Sequence, residues 1–425
     1  MTREHRKPVL RKPSKQRSKV IAGLDIGSNK VACFIAQNDG QAGPVVTGSG
    51  QYASAGMRSG EVIDLESLRD AVAEAVAAAE RMAGLEIERL AVSISGGNQK
   101  SIMQKDEISL PEGRVGERDI ARLLRKAMER DAEDGRSVLH RLPLQYTLDG
   151  VRGIRDPFGM QGQKLGVDMA VITAATSTLE NLKTVVEMNH LQVECFVASA
   201  YASGLTALVE DEKDLGATII EMGAGVTSIA IFMEGHLVYV NSVPFGGAHV
   251  TSDIARIVST PMEEAERIKT LHGSVLTAIG DSDKLITLPQ IGDDSNQNPQ
   301  QIDIGLLGEI IRPRIEEIFE LLLKPLERSG FSAAAGQRVV LTGGAAQITG
   351  IEDYLNTLFG RTVRIGKPMG MAGMADPTRG PAFTTTAGLL RYASVEFERE
   401  PKPEAALPRK TGVLGRIGEW FNEHI

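Results

Sequence analysis

The strongest constraint on what this chain can fold into is a glycine turn that occurs twice. Asp25-Ile26-Gly27-Ser28-Asn29-Lys30 separates two apolar runs, Val20 to Asp25 and Lys30 to Gln37. Glu221-Met222-Gly223-Ala224-Gly225-Val226-Thr227 separates Ala217 to Ile220 from Ser228 to Met233. Each reads as strand, turn and strand. In such a turn the glycines let backbone N–H groups approach phosphate oxygens closely, and Ser28, Asn29 and Lys30 add donors. An acid heads each turn, and Asp25 there would face metal-bound phosphates through water. One such turn is only a hairpin. Two in corresponding halves describe two related lobes facing one cleft and holding a nucleoside triphosphate.

At 425 residues the chain exceeds one ordinary core, so two or more packed units sharing a cleft are expected. Its 42% apolar and 24% charged residues suit a soluble globular protein rather than a disordered or fibrous one, and the alternation of strand and helix from Val167 to Val209 makes the expected fold class α/β. No run of eighteen uncharged apolar residues occurs, which argues against an integral membrane protein. A net charge of −8 argues against a nucleic-acid partner. The charge is uneven, with Arg3, Arg6, Lys7, Arg11, Lys12, Lys15, Arg17 and Lys19 set against Glu4 alone. That arm reads either as solvated and disordered or as attracted to anionic lipid. Cys33 and Cys195 lack metal spacing and read as buried thiols.

Between the turns, Asp64 caps a helix from Leu65 to Ala83 that Gly84 stops. Leu90 to Ser95 is a strand. From there to about Met169 the texture changes to amphipathic strands, a charged helix from Glu117 to Asp134 and a Pro/Gly-rich passage, which marks an inserted subdomain. Strand and helix then alternate from Val167 to Val209, as in a helix-covered sheet. Thr251 to about Ser329 reads as helical, with residues 292 to 302 as a loop. Arg338 to Leu341 is a last buried strand and Thr384 to Val395 a closing helix. The strand at Arg338 runs into Thr342-Gly343-Gly344-Ala345-Ala346, where paired glycines let backbone lie flat against an adenosine and a helix start lies near the phosphates.

These three elements resemble the actin, sugar-kinase and heat-shock-chaperone ATPase superfamily, whose two phosphate loops and adenosine loop they match in order. The resemblance implies a two-lobed actin-like ATPase fold with ATP and Mg2+ as ligands. It assigns Asp25, Gly27, Ser28, Asn29, Lys30, Gly223, Ala224, Gly225, Val226, Thr227, Gly246, Gly247, Glu266, Lys269, Gly343, Gly344, Ala345 and Gln347 to the nucleotide. It also implies that Gly246 and Gly247 enter the second-lobe subdomain, that Glu266 and Lys269 reach the base and ribose, and that Val197 to Gly204 is the interlobe hinge helix. Asp25 would hold the metal indirectly, through water.

Within that superfamily Gly23 to Val31, Val138-Leu139-His140-Arg141-Leu142-Pro143-Leu144-Gln145-Tyr146, Gly246 to Ala255 and Leu341 to Ile348 are similar to segments of the FtsA family of bacterial division proteins. The likeness implies a first-lobe core over 19–95, continued in 171–213 and 375–397, with a subdomain inserted over 96–170 and actin's own extra subdomain absent. A second-lobe core would span 214–250 and 331–374, with a subdomain at 251–330. A basic arm at 1–18, a linker at 398–411 and a terminal amphipathic helix at 412–425 complete it. Implied partners are further copies in filaments, the C-terminal tail of FtsZ at the second-lobe subdomain, later divisome proteins at the insertion, and anionic lipid at the cytoplasmic face of the inner membrane.

The terminal segment supports the last of these on its own residues. Val413, Leu414, Ile417, Phe421 and Ile425 recur at helical spacing, Trp420 sits at the stripe's edge and Arg416 supplies charge. A helix docked on the protein's own body is the alternative, and the proline-bearing linker argues against it. A pilus-assembly relative of FtsA is a rival reading that the terminal helix opposes. A phosphotransferase on the same scaffold would need a distinct carboxylate base, and none stands out. Two residues depart from the family pattern: Glu221 replaces the usual Asp, and Val226 stands where Thr is common. The extra methylene is expected to push a carboxylate into the space of metal-bound water, leaving weak ATPase activity at best.

Overall fold

A computed structural model describes residues 19–38, 43–276, 284–292 and 299–396. The basic arm at 1–18, the linker at 398–411 and the terminal helix at 412–425 lie outside the described residues.

The chain begins with the hairpin β1 (Lys19–Ile26) and β2 (Lys30–Asn38), followed by β3 (Val45–Ala53), a two-residue-armed hairpin β4 (Met57–Arg58) and β5 (Glu61–Val62), α1 (Leu65–Ala83) and β6 (Arg89–Ile94). Asp64 caps α1 by accepting the amides of Glu66 and Ser67 at 3.1 and 3.3 Å, and Gly84 ends it in the left-handed region at φ 68°. Leu68, Ala71, Val72, Ala75, Val76 and Ala79 form its buried stripe. The helix lies almost on the backbone of β3, because a Cβ on Gly50 would stand 2.0 Å from the Ala75 carbonyl oxygen.

A separate four-stranded sheet follows, built from β7 (Lys100–Ser109), β8 (Arg136–Leu148), β9 (Val151–Ile154) and β10 (Lys164–Ala175), with α2 (Glu117–Met128) packed on it. The charged helix therefore stops at Met128 rather than Asp134. Glu129, Asp131, Glu133 and Asp134 would crowd acids at a helix C-terminus, where the dipole disfavours them. Arg141 of β8 donates to the carbonyls of Met128 and Arg130 and takes over that end.

The chain returns through α3 (Thr176–Met188), β11 (Gln192–Ala198), α4 (Ser199–Ala207) and α5 (Glu210–Leu215) to β12 (Ala217–Met222), β13 (Thr227–Met233) and β14 (His236–Val243). The segment expected to be helical holds α6 (Gly247–Ile257), α7 (Met262–His272) and α8 (Ile304–Ser329), and also an antiparallel pair, β15 (Leu285–Leu288) with β16 (Gln300–Asp303). These strands alternate exposed Leu285 and Thr287 with buried Ile286 and Leu288, a period too short to stand out beside the helices. After β17 (Arg338–Thr342) the expected helix is only a four-residue 3-10 turn, Gly344–Gln347. Then come α9 (Ile351–Phe359), β18 (Thr362–Ile365) and α10 (Thr384–Glu396).

Two five-stranded sheets result, in the orders β11-β6-β1-β2-β3 and β14-β13-β12-β17-β18. In each, the strand that enters the glycine turn pairs antiparallel with the strand that leaves it and parallel with a later one. The internal duplication is thus one of topology as well as of sequence. Helices α4 and α10 lie between the sheets and cross closely, since a Cβ on Gly388 would meet the Ala202 carbonyl oxygen at 1.8 Å. Hydroxyls line that crossing, with Ser203 Oγ and Thr385 Oγ1 2.9 Å apart. The side sheet is tied to both neighbours: His140 Nε2 accepts the amide of Ala198 at 3.1 Å, and Ser101 Oγ bonds both the amide and the carbonyl of Val240.

Candidate functional site

The two turns close in the same way. The Gly27 amide donates to the Lys30 carbonyl at 3.0 Å, and the Gly223 amide donates to the Val226 carbonyl at 2.9 Å. Both turns sit at the tips of β1–β2 and β12–β13, so the duplicated topology aims them at one place. They meet there: a Cβ on Gly225 would lie 2.3 Å from Ser28 Oγ. Asn29 is exposed at the tip of the first turn, while Thr227 is buried and donates to the Phe245 carbonyl at 2.8 Å.

The carboxylates at the heads of the turns face each other. Burial pushes the Asp25 carboxyl above its usual range, against a 2.6 Å hydrogen bond from Ser93 and the charge of Lys30. Burial likewise raises Glu221 to about 7, with repulsion from Asp25 adding to it and the neighbouring hydroxyls of Ser199 and Thr385 opposing it. The extra methylene therefore carries the Glu221 carboxylate toward the hydroxyls of α4 and α10 as well as toward Asp25. Lys30 is lowered to about 8 by burial despite both acids. Its Nζ donates to the Ala382 carbonyl at 2.6 Å and stands 3.2 Å from the centroid of the Phe383 ring.

A second group of expected residues converges beside the second turn, Glu221 to Thr227 or loop 2, the first turn, Asp25 to Lys30, being loop 1. The amides of Gly247 and Ala248 donate to the carbonyls of Gly223 and Ala224 at 3.0 and 2.8 Å, so the first turn of α6 is spent on the loop. Gly246 is required there, because a Cβ would stand 2.4 Å from the Gly223 oxygen. Lys269 Nζ, buried, donates to Glu266 Oε2 at 2.6 Å, to Thr251 Oγ1 at 2.8 Å and to the Gly247 carbonyl at 3.2 Å. Gly343 adopts φ 94° and packs on Met222, and a Cβ on Gly247 would touch the Cβ of Ala345 at 3.0 Å. The exposed Gln347 folds back to the Gly344 carbonyl at 3.2 Å. Beside this loop a cavity of about 410 Å³ is lined by Gln347, Ile351, Ile365, Lys367 and Pro381 among others.

Sequence reasoning missed Ser93, Ser199, Thr251, the Thr384-Thr385-Thr386 run and the β4–β5 hairpin. The triple threonine opening a helix and the Ser59-Gly60 turn were visible signals, but only the folded chain brings them to the loops. Hydroxyls surround the facing acids, Ser93 and Thr386 beside Asp25 and Ser199 and Thr385 beside Glu221, and the buried Ser228 Oγ has no hydrogen-bonding partner among the described residues. Carboxylates and hydroxyls in this arrangement suit a hydrated Mg2+, which keeps its waters and offers them as donors. Among the described residues no group of three His, Cys, Asp or Glu could hold a metal on its own. The expected membrane residues Val413 to Ile425 lie outside the described residues.

Two sheets of matching order, a repeated turn where their tips meet and a helix pair between them define a two-lobed actin-like ATPase fold. Solved structures of that fold align over most of the chain. A PilM–PilN type IV pilus biogenesis complex matches at TM-score 0.61 and 17% identity, covering 88% of this chain and 98% of the other. MreB5 of Spiroplasma citri bound to ADP matches at TM-score 0.54 and 15% identity, covering 91% and 100%. The chain belongs to the FtsA family of cell-division proteins. Residues 218–388 match the family "Cell division protein FtsA" and residues 96–173 match "SHS2 domain inserted in FTSA". The FtsA of Agrobacterium fabrum is 41% identical over 430 residues, 98% of this chain and 97% of the relative. That of Rhizobium meliloti is 42% identical over 432 residues, 98% and 97%. That of Escherichia coli is 31% identical over 412 residues, 95% and 96%. Among the described residues no helix is long and apolar enough to cross a membrane.

Proposed function

We propose that this actin-like division protein binds ATP with Mg2+ between its two glycine turns, polymerises on the cytoplasmic membrane, anchors FtsZ filaments there and recruits later divisome proteins. The observation that carries the nucleotide reading is the meeting of two turns closed by the same hydrogen bond, beside two facing buried acids lined by hydroxyls. Backbone amides of 27–30 and 223–227, with Lys30, would hold the phosphates. Gly343 to Ala345, Glu266 and Lys269 would hold the nucleoside. Asp25 and Glu221 would accept from water on the metal. The bound metal would neutralise phosphate charge. Glu221 shares its neighbourhood with Ser199 and Thr385, which supports slow turnover, because a carboxylate drawn toward the hinge helices is poorly placed to orient an attacking water.

The membrane reading rests on the amphipathic residues Val413, Leu414, Arg416, Ile417, Trp420, Phe421 and Ile425. A helix burying so few large side chains attaches weakly, at about 1.5–3 kcal/mol for each one fully buried. Assembly into filaments multiplies such anchors by avidity. Electron microscopy on anionic lipid monolayers, with and without ATP and magnesium, tests the whole. Ordered filaments only with lipid and nucleotide are expected. Deleting 412–425 is expected to abolish liposome sedimentation and leave nucleotide binding intact; sedimentation that persists would shift the anchor to the basic arm.

A further inference from the structure

The β4–β5 hairpin belongs to the first lobe yet reaches the second. Its tip, Ser59-Gly60, has both residues in the left-handed region, at φ 48° and 81°, as a tight primed turn requires. Gly60 is closely packed: a Cβ there would lie 2.7 Å from Gly96 Cα and 2.7 Å from Val226 Cγ2 of loop 2. The Gly60 amide also points to Ser28 Oγ of loop 1, at 3.4 Å. A Cβ on Gly225 would lie 3.0 Å from the Ser59 nitrogen. Four elements thus meet at Gly60, Gly96, Gly225 and Val226, with Ser28 and Ser59 beside them.

The hairpin is firmly fixed to its own lobe. Glu61, next to the tip, uses both carboxylate oxygens, accepting the Gly97 amide at 3.0 Å and the Thr178 hydroxyl at 2.8 Å. At its base the amides of Ile63 and Asp64 donate to the Gly56 carbonyl. Val226 is buried, and its methyl packs on the hairpin where a threonine would place a hydroxyl or a methyl according to its rotamer.

We infer that Gly60 and Val226 form an interlobe latch, a positioning contact that fastens loop 2 to the first lobe at the phosphate end of the cleft. The inference rests on the nucleotide reading above for its consequence: a triphosphate gripped by both loops leaves only when they part, and the latch opposes that parting. It gives the Val226 side chain a role in retention of nucleotide, beside the part its backbone amide has in holding the phosphates.

Stopped-flow with a fluorescent ATP analogue and magnesium on the full chain tests it. Val226→Ala removes the methyl contact and is expected to speed dissociation roughly tenfold with little change in association. Gly60→Ala, whose Cβ would stand 2.7 Å from Val226 Cγ2 and force the contact apart, is expected to dissociate at least as fast as Val226→Ala. Equal dissociation from the native protein and Val226→Ala overturns the latch, whatever Gly60→Ala does to folding. Hydrogen exchange without nucleotide separates this from the nucleotide reading. If the native chain binds no analogue, that reading fails. The contact itself still stands if the Gly60 amide is protected and loses protection in Val226→Ala, and falls if that amide exchanges freely in both.

Discussion

Loop 1 and loop 2 are the same backbone turn set in different mountings. Loop 1 is held by neighbours in its own lobe: Lys30 reaches Ala382, Ser93 holds Asp25, the Ser54 amide donates to the Asn29 carbonyl at 3.0 Å and the Gly60 amide to Ser28 Oγ, while the Asn29 side chain stands exposed at the tip. Loop 2 is held along its length by the amides of Gly247 and Ala248, by the Thr227 hydroxyl and by the packing of Gly246. Identical local geometry therefore yields a loop that presents side chains and a loop that is part of α6. Any displacement of loop 2 must displace the start of the second-lobe subdomain, whereas loop 1 moves within its own sheet.

The contrast is broken hardest by Gly246→Ala. Its new Cβ would meet two loop-2 carbonyl oxygens, at 2.4 and 2.7 Å, both backbone. A loss of about 3 kcal/mol in denaturant-induced unfolding is expected. Next, Glu221→Gln is expected to stabilise the nucleotide-free protein at neutral pH by about 1–3 kcal/mol. Because burial holds Glu221 at about 7 in the folded state, above its ordinary value, its stability contribution is fully present below about pH 4.5 and is lost as pH rises through about 7. Unfolding midpoints between pH 5 and 8 are expected to fall more steeply in the native chain than in Glu221→Gln; parallel profiles would refute the assignment. Ser93→Ala removes a hydrogen bond to Asp25 and is expected to cost about 1 kcal/mol. Gly27→Ala is expected to be the mildest, at about 0.5 kcal/mol, since its Cβ would meet only the Lys30 oxygen, at 3.0 Å, and Gly27 has no left-handed φ. If Gly27→Ala proved as damaging as Gly246→Ala, the difference in mounting would be wrong.

Much of the molecule was legible in the residues. Asp64 and Gly84 bracket α1 to the residue, and alternating apolar runs around Gly27 and Gly223 give the two hairpins, because caps, glycine turns and strand periodicity are local chemistry. The β15–β16 pair was not legible: four-residue strands inside a helical stretch carry too little periodicity. The early end of α2 was not either, since it depends on Arg141 arriving from β8. In the site, the glycines and acids announced themselves, but Ser93, Ser199 and Thr385 did not. A buried serine or threonine looks like any other until the fold shows what it faces.

The sequence by itself determined the duplicated turn, the acids at its head and the glycine pair after β17, because each needs only backbone freedom and neighbours in the chain. Tertiary structure alone decided that the turns meet at Ser28 and Gly225, that Lys30 and Glu221 share one buried electrostatic neighbourhood, and that a first-lobe hairpin closes on Val226. Those outcomes depend on contacts between residues far apart in sequence, and on desolvation, which exists only once the sheets and the helices between them have packed.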